Sequence, residues 1–137
     1  MNIRCPCSSS KQYKQCCKRF HDGTNPPTSI ELMRSRYAAY ALRQVDYIIK
    51  TTHPDYPGRM ENLKEWRKDL LKFTDGTRFE GLTILDNEEG EERSTVTFRA
   101  QLRQGARDAS FTEKSTFLRV DGRWLYRSGE GLPDGPW

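Results

Sequence analysis

No stretch of the 137-residue chain approaches the roughly 18 consecutive apolar residues that a membrane-spanning helix requires, and the opening MNIRCPCSSS has no apolar core of the kind a secretory leader needs. A cytoplasmic protein without a membrane span is therefore expected. Histidine is scarce, with His21 and His53 alone, and cysteine disappears after Cys17. From residue 28 onward the chain thus offers one histidine and no nucleophile constellation on which to found a catalytic reading. Internal repeats and low-complexity tracts are also absent. Hydrophobic residues make up 34% and charged residues 31%, which describes a hydrophilic globular chain of one domain, with room for a small appended module.

What is present is unevenly placed. Residues 1–22 hold Arg4, Lys11, Lys14, Lys18 and Arg19 against Asp22 alone, so this segment accounts for the whole net charge of +4. The same segment holds all four cysteines, at 5, 7, 16 and 17. Disulfides between Cys5 and Cys7 or between Cys16 and Cys17 close strained rings, leaving only crossed pairs, and a reducing compartment disfavours those as well. Two close thiolates on a tight knuckle and two more about ten residues later explain the spacing better, as the four sulfurs of a closed, structural metal site. His21, four residues beyond Cys17, is a competing ligand. Zinc is the default ion, and iron is chemically compatible with the same thiolates.

The run Cys5-Pro6-Cys7 to Cys16-Cys17 resembles the SEC-C motif, a zinc module found at the end of the bacterial translocase motor and in small bacterial proteins. The resemblance implies Cys5, Cys7, Cys16 and Cys17 as ligands, with Cys17 where many members carry His. Family members commonly have Gly where this chain has Ser8 and Ser10, so a residue that relaxes the turn is missing. Residues 1–22 are read as this module. They hold few large apolar groups, whereas residues 28–128 hold enough for their own core, so chelation is expected to unfold the knuckle alone.

Beyond Pro26-Pro27, Thr28-Ser29-Ile30-Glu31 spells a capping box, followed at helical spacing by Ile30, Met33, Tyr37, Tyr40 and Ala41, with Arg34, Arg36 and Arg43 mostly off that face. A short helix is predicted from Asp46 to Thr52 and another from about Met60 to Leu71, with Met60, Leu63, Trp66, Leu70 and Leu71 inward. After Gly76 the period changes to that of strands, over Thr77–Leu85, Thr95–Arg103 and Ser110–Val120. A tight Asp121-Gly122 turn then leads into Arg123–Arg127. Helices followed by an antiparallel meander indicate an α+β fold with the helices on one face of the sheet.

Leu32-Met33-Arg34-Ser35-Arg36-Tyr37, Asp46-Tyr47, Thr52-His53-Pro54, Glu113-Lys114-Ser115-Thr116-Phe117 and Asp121-Gly122-Arg123-Trp124 resemble the YchJ-like family of small bacterial proteins. The resemblance implies a SEC-C module beside a cone-shaped domain of the nuclear-transport-factor-like kind, here residues 28–131, with a tail at 132–137. Many relatives carry His where this chain has Thr112, and some carry a second zinc motif at the C-terminus.

The fold so implied has a curved sheet closing over a helix to leave a pocket, where enzymes of the superfamily often keep a buried acid or base. Tyr37, Tyr40, His53, Trp66 and Glu113 are candidates, with His53, Glu113, Tyr37 and Trp66 the expected ligand-binding set. Glu113 shares a strand face with Phe111, Ser115 and Phe117, and a carboxylate facing an apolar interior rises in pKa unless paired. Arg34 or Arg36 is expected to pair with it. His53 before Pro54 also fits a loop anchor, and the aromatic residues also fit plain core. Three functions compete. An adaptor that contacts a protein partner through the knuckle stands first, and the resemblance implies an export-chaperone or ribosomal neighbourhood. A small-molecule binder or enzyme using the pocket is second. RNA contact through Lys11, Lys14, Lys18 and Arg19 is third, opposed by the −2 charge of a tetrathiolate zinc centre.

Overall fold

The computed structural model describes residues 3–133. Backbone bonds from Tyr13 to Ile3 and from Cys5 to Lys11, both 2.8 Å, fold residues 3–13 into a tight loop, which passes through a 3₁₀ turn at Tyr13–Gln15 into helix α1, Lys18–His21. Helices α2 (Ser29–Ala41), α3 (Val45–Lys50) and α4 (Leu63–Asp75) follow. Five antiparallel strands complete the chain: β1 (Arg78–Glu88), β2 (Arg93–Gln104), β3 (Arg107–Asp108), β4 (Phe111–Val120) and β5 (Arg123–Leu132). The sheet order is β1-β2-β4-β5, with the two-residue β3 paired to β2 where the sequence suggested only a turn. Register shifts at Phe79/Gly81, Ile84/Asp86 and Thr116/Phe117 insert bulges that bend the sheet around the helices. Asp121 and Gly122 take φ of 51° and 79°, the left-handed pair that a tight hairpin between twisted strands demands. Among the described residues no helix is long and apolar enough to cross a membrane.

The capping box forms as spelled: Thr28 accepts from the Glu31 amide at 3.2 Å and donates to its carboxylate at 2.9 Å. The expected single buried face of α2 does not hold. Met33 and Tyr37 pack on the sheet, Ala39 packs with Phe20, Tyr47 and Ile48, and Ala38 packs on Cys5, Cys7 and Cys17. Covered from three directions, α2 buries Arg36 to 7% exposure, although the sequence pattern put it off the inner face. Helix α4 starts three residues later than predicted because Asn62, not Met60, caps it, accepting from the Glu65 amide at 3.1 Å. This leaves Leu63 at 45% exposure and outside the core that its periodicity implied. Strand β5 runs five residues past the expected Arg127, and residues 134–137 of the expected tail lie outside the described residues.

Candidate functional site

Two constellations stand out, one on each side of α2. The first is the cysteine cluster. The Sγ atoms of Cys5, Cys7, Cys16 and Cys17 all lie within 4.8 Å of one another, with Cys7 to Cys16 at 3.6 Å and Cys16 to Cys17 at 3.9 Å. The edge of a tetrahedral tetrathiolate with bonds near 2.3 Å is about 3.8 Å, so the donor set fits a single soft divalent ion such as zinc. Hydrogen bonds from Cys17 first, then from Cys5, hold Cys7 far below the usual thiol range despite its burial. Cys17 is pushed far up by its bonds to Cys5 and Cys7 and by burial. For Cys5, the Cys17 bond lowers the pKa, but the Cys7 bond and burial prevail and raise it to about 11. Several thiolates side by side require a cation.

The turn between the two cysteine pairs is made at Ser8 (φ 66°) and Ser10 (φ 70°), the two positions where a glycine was missed. The left-handed conformation costs a non-glycine residue roughly 1–2 kcal/mol. At Ser8 the hydroxyl compensates, accepting from the Leu82 amide of β1 at 3.0 Å and so tying the knuckle to the sheet. Ser10 has no such side-chain bond among the described residues. Ser10→Gly is therefore expected to stabilise the protein by about 0.5–1 kcal/mol, whereas Ser8→Gly, which orphans an amide in the cone, brings no gain; denaturant melts of the two variants check this.

His21 does not join the cluster. Its Nδ1 accepts from the Tyr13 hydroxyl at 2.7 Å and its Nε2 donates to the Ser35 carbonyl at 2.8 Å, with the Tyr47 ring edge-on at 4.7 Å. Both nitrogens are taken, so the ring pins the knuckle to α2 instead of binding metal. Burial holds its pKa below the usual 6.5. The neutral ring's contribution to stability is then complete above about pH 6.5 and declines as pH falls below it, because the unfolded chain binds the proton first. His21→Phe removes the hydrogen bonds to the Ser35 carbonyl and the Tyr13 hydroxyl that pin the knuckle to α2, and a loss of about 2 kcal/mol at pH 7.5 is expected, shrinking towards pH 5.5 in thermal melts.

The second constellation is a cavity of about 280 Å³ between the helices and the concave face of the sheet. Tyr37, Trp66 and Glu113 line it, and so do Arg36, Tyr40, Ser115 and Tyr126. His53 does not. Its amide donates to the Tyr126 carbonyl at 2.8 Å and its Nδ1 accepts from the Asp55 amide at 2.9 Å, so it anchors the loop after α3 to β5. Tyr37 contributes only its ring, for its hydroxyl fills the β1 bulge, donating to the Gly81 carbonyl at 2.8 Å and accepting from the Gly81 amide at 3.0 Å. Phe111, on the same strand face as Glu113, lines the cavity at its rim, 40% exposed and edge-on to Phe98.

Glu113 faces the cavity but pairs with neither expected arginine. Arg34 reaches the opposite way and donates to the Cys7 carbonyl at 2.7 Å. Arg36 donates through Nη1 to the Ile48 carbonyl, Thr51 Oγ1 and Thr52 Oγ1 at 3.1, 2.8 and 3.1 Å, holding the end of α3 to α2. Glu113 Oε2 accepts instead from Ser115 at 2.5 Å and from the Tyr126 hydroxyl at 3.1 Å. Burial, reinforced by the Glu113 charge, pushes Tyr126 far up, so it stays a neutral donor. With no ion pair to break, Glu113→Gln is expected to change stability by less than about 1 kcal/mol in denaturant melts. Sequence reasoning missed Tyr126 and Gly129. The glycine faces Ser115 across β4 and β5, and a Cβ there would collide with the Glu113 carboxylate and the Tyr126 hydroxyl.

Fold and sites together define a nuclear-transport-factor-like cone with a SEC-C cysteine centre docked on its long helix. Residues 28–129 match the family described as YchJ, middle NTF2-like domain, and residues 1–19 match the SEC-C motif. The chain belongs to this YchJ family, also called UPF0225. It is 42% identical over 132 residues to a UPF0225 protein of Streptomyces coelicolor, covering 93% of this chain and 95% of that one. Its fold is similar to the solution structure of a SEC-C motif containing protein from Rhodopseudomonas palustris (TM-score 0.78, 33% identity, 97% and 100% of the two chains). The crystal structure of a SEC-C motif containing protein from Psychrobacter arcticus shares the fold at 24% identity (TM-score 0.77, 96% and 84%).

Proposed function

We propose that the protein is a zinc-stapled binding protein whose cone cavity takes a small ligand, the knuckle serving as a structural centre. The observation that carries this is the cavity: about 280 Å³ walled by aromatic and aliphatic side chains, with a few polar groups gathered around Tyr126 and a glycine opposite that leaves them room. Such a combination of apolar wall and few convergent polar groups is what small-molecule sites share. The metal ligands, by contrast, turn inward onto Ala38. A neutral apolar probe, 3-phenylpropanol, titrated against tryptophan fluorescence or the Trp66 indole resonance, tests the reading. Saturable binding is expected, and the cavity-filling variant Ala100→Leu should abolish it while keeping the fold. Equal binding by Ala100→Leu, or no binding to the wild type, would count against a cavity site.

A second reading, contact with a protein partner through the knuckle, is supported by Lys11 and Lys14, which are exposed and have no acidic partner among the described residues. Likeness to the SEC-C module suggests an export-chaperone or ribosomal partner. Lys18 and Arg19 are engaged by Asp22 and Glu31, at 2.6 and 3.4 Å, which reduces the cationic patch available to RNA. Affinity capture with Lys11→Glu, Lys14→Glu protein, whose fold should be intact, tests this reading. Loss of a captured protein supports it, and loss of a captured nucleic acid with steep salt dependence would replace it.

A further inference from the structure

Arg36 is the most unusual group in the cavity. It is 7% exposed, and no carboxylate pairs with it among the described residues. Its three hydrogen bonds all leave from Nη1, while its Cζ stands 4.6 Å from the centroid of the Tyr126 ring. Nε and Nη2 have no hydrogen-bond partner among the described residues, yet no described side-chain nitrogen or oxygen is both sealed and unsatisfied. In a side chain so buried that lines the cavity, those two donors open onto it. A guanidinium withdrawn from bulk water without a counter-charge is costly, and the Nε–Nη2 edge is the fork that receives a planar carboxylate through two parallel bonds.

The other end of the same ring bears on what else the ligand carries. Glu113 binds the Ser115 and Tyr126 hydroxyls through Oε2, and its Oε1 has no partner among the described residues. An acid lying near Arg36 therefore meets a second carboxylate in the same cavity. A bare carboxylate is repelled there, and a doubly charged phosphate more so. A hydroxyl or ammonium beside the ligand's carboxylate turns that repulsion into a hydrogen bond. The space suits one compact apolar body: a dry cavity of about 150 Å³ holds benzene, and this one is about 280 Å³.

We propose that the cavity binds an apolar 2-hydroxy or 2-amino acid, its carboxylate on the Nε–Nη2 edge of Arg36, its donor on Glu113 Oε1, and its side chain among Tyr40, Trp66 and Phe98. The proposal rests on the cavity being a ligand site and adds the class of ligand. Four probes of one skeleton test it: phenyllactate, phenylalanine, 3-phenylpropanoate and 3-phenylpropanol, titrated against the Trp66 indole resonance. Phenyllactate or phenylalanine is expected to bind about tenfold tighter than 3-phenylpropanoate, and tighter still than the alcohol, one charge-assisted bond being worth roughly that factor. Whichever of the two binds tighter identifies the donor. Arg36→Lys, which keeps the charge but loses the fork, should weaken all the acids about tenfold and leave the alcohol unchanged. Glu113→Gln should erase the gap between phenyllactate and 3-phenylpropanoate. The wild-type series decides even if Arg36→Lys does not fold. Alcohol binding as tightly as the acids would overturn the assignment of Arg36 and leave the cavity site standing; binding by none of the four, the alcohol included, would overturn both.

Discussion

Stripping the knuckle with a strong chelator is expected to lower the main unfolding transition of the whole protein by about 10 °C or more, not to melt residues 1–22 alone. The composition of the knuckle suggests independence, since it has few large side chains with which to hold itself to anything. The contacts say otherwise. Arg34 of α2 donates to the Cys7 carbonyl, Leu82 of β1 to Ser8, and His21 to the Ser35 carbonyl, while Phe20 is 3% exposed against Ala39, Tyr47 and Ile48. A charged hydrogen bond contributes about 1.5–3 kcal/mol and a neutral one about 1. Losing the group together exceeds about 3 kcal/mol, which for a chain of this size is about 10 °C. Apparent binding energies of structural zinc sites, about 10–16 kcal/mol, rival the whole stability of a domain, about 5–15 kcal/mol. Calorimetry before and after chelation, with Cys7→Ser beside it, measures the shift. An unmoved main transition with loss of knuckle signals alone would show two independent units.

Gly129→Ala is expected to destabilise the cone by about 2 kcal/mol. The new Cβ meets the Glu113 carboxylate and the Tyr126 hydroxyl at once. Glu113 can swing away, but the ring of Tyr126 is held against Arg36 and Phe117 and cannot. Their mutual hydrogen bond is therefore broken as well as crowded. The double variant Gly129→Ala, Glu113→Ala should recover part of the loss, a coupling that denaturant melts resolve. A Gly129→Ala protein as stable as the wild type would mean that the polar group around Tyr126 is not fixed.

Local chemistry decided a good deal in advance. Four thiols at C-x-C and C-C spacing define one metal-sized cluster, Thr28 and Glu31 start a helix, and alternation over Thr95 to Arg103 makes a strand, because each signal is completed by residues close in the chain. The pattern Phe111, Glu113, Ser115 likewise put Glu113 on the cavity face through the two-residue strand period. Partners are another matter. That Glu113 meets Ser115 and Tyr126 while Arg34 turns to the knuckle and Arg36 to the end of α3 depends on how β5 registers against β4 and on which elements flank α2.

Periodicity assumes one inner face per helix, and it fails where a helix is covered from several sides. Arg36 reads as off-face, yet α2 lies between knuckle, sheet and α3, so no direction is left for it to reach bulk water. For the same reason the knuckle reads as an appendage in composition but is part of the core in space. Sequence alone determined the cysteine cluster, the α+β class and the order of the elements, since these follow from short-range spacing and propensity. Only the tertiary structure decided that His21 is a clamp and His53 a loop anchor, that Ser8 and Ser10 carry the left-handed turn, and that a buried arginine and a glutamate share one cavity. Those outcomes come from groups far apart in the chain competing for the same few partners, and a linear pattern holds no record of who is adjacent once the chain has closed on itself.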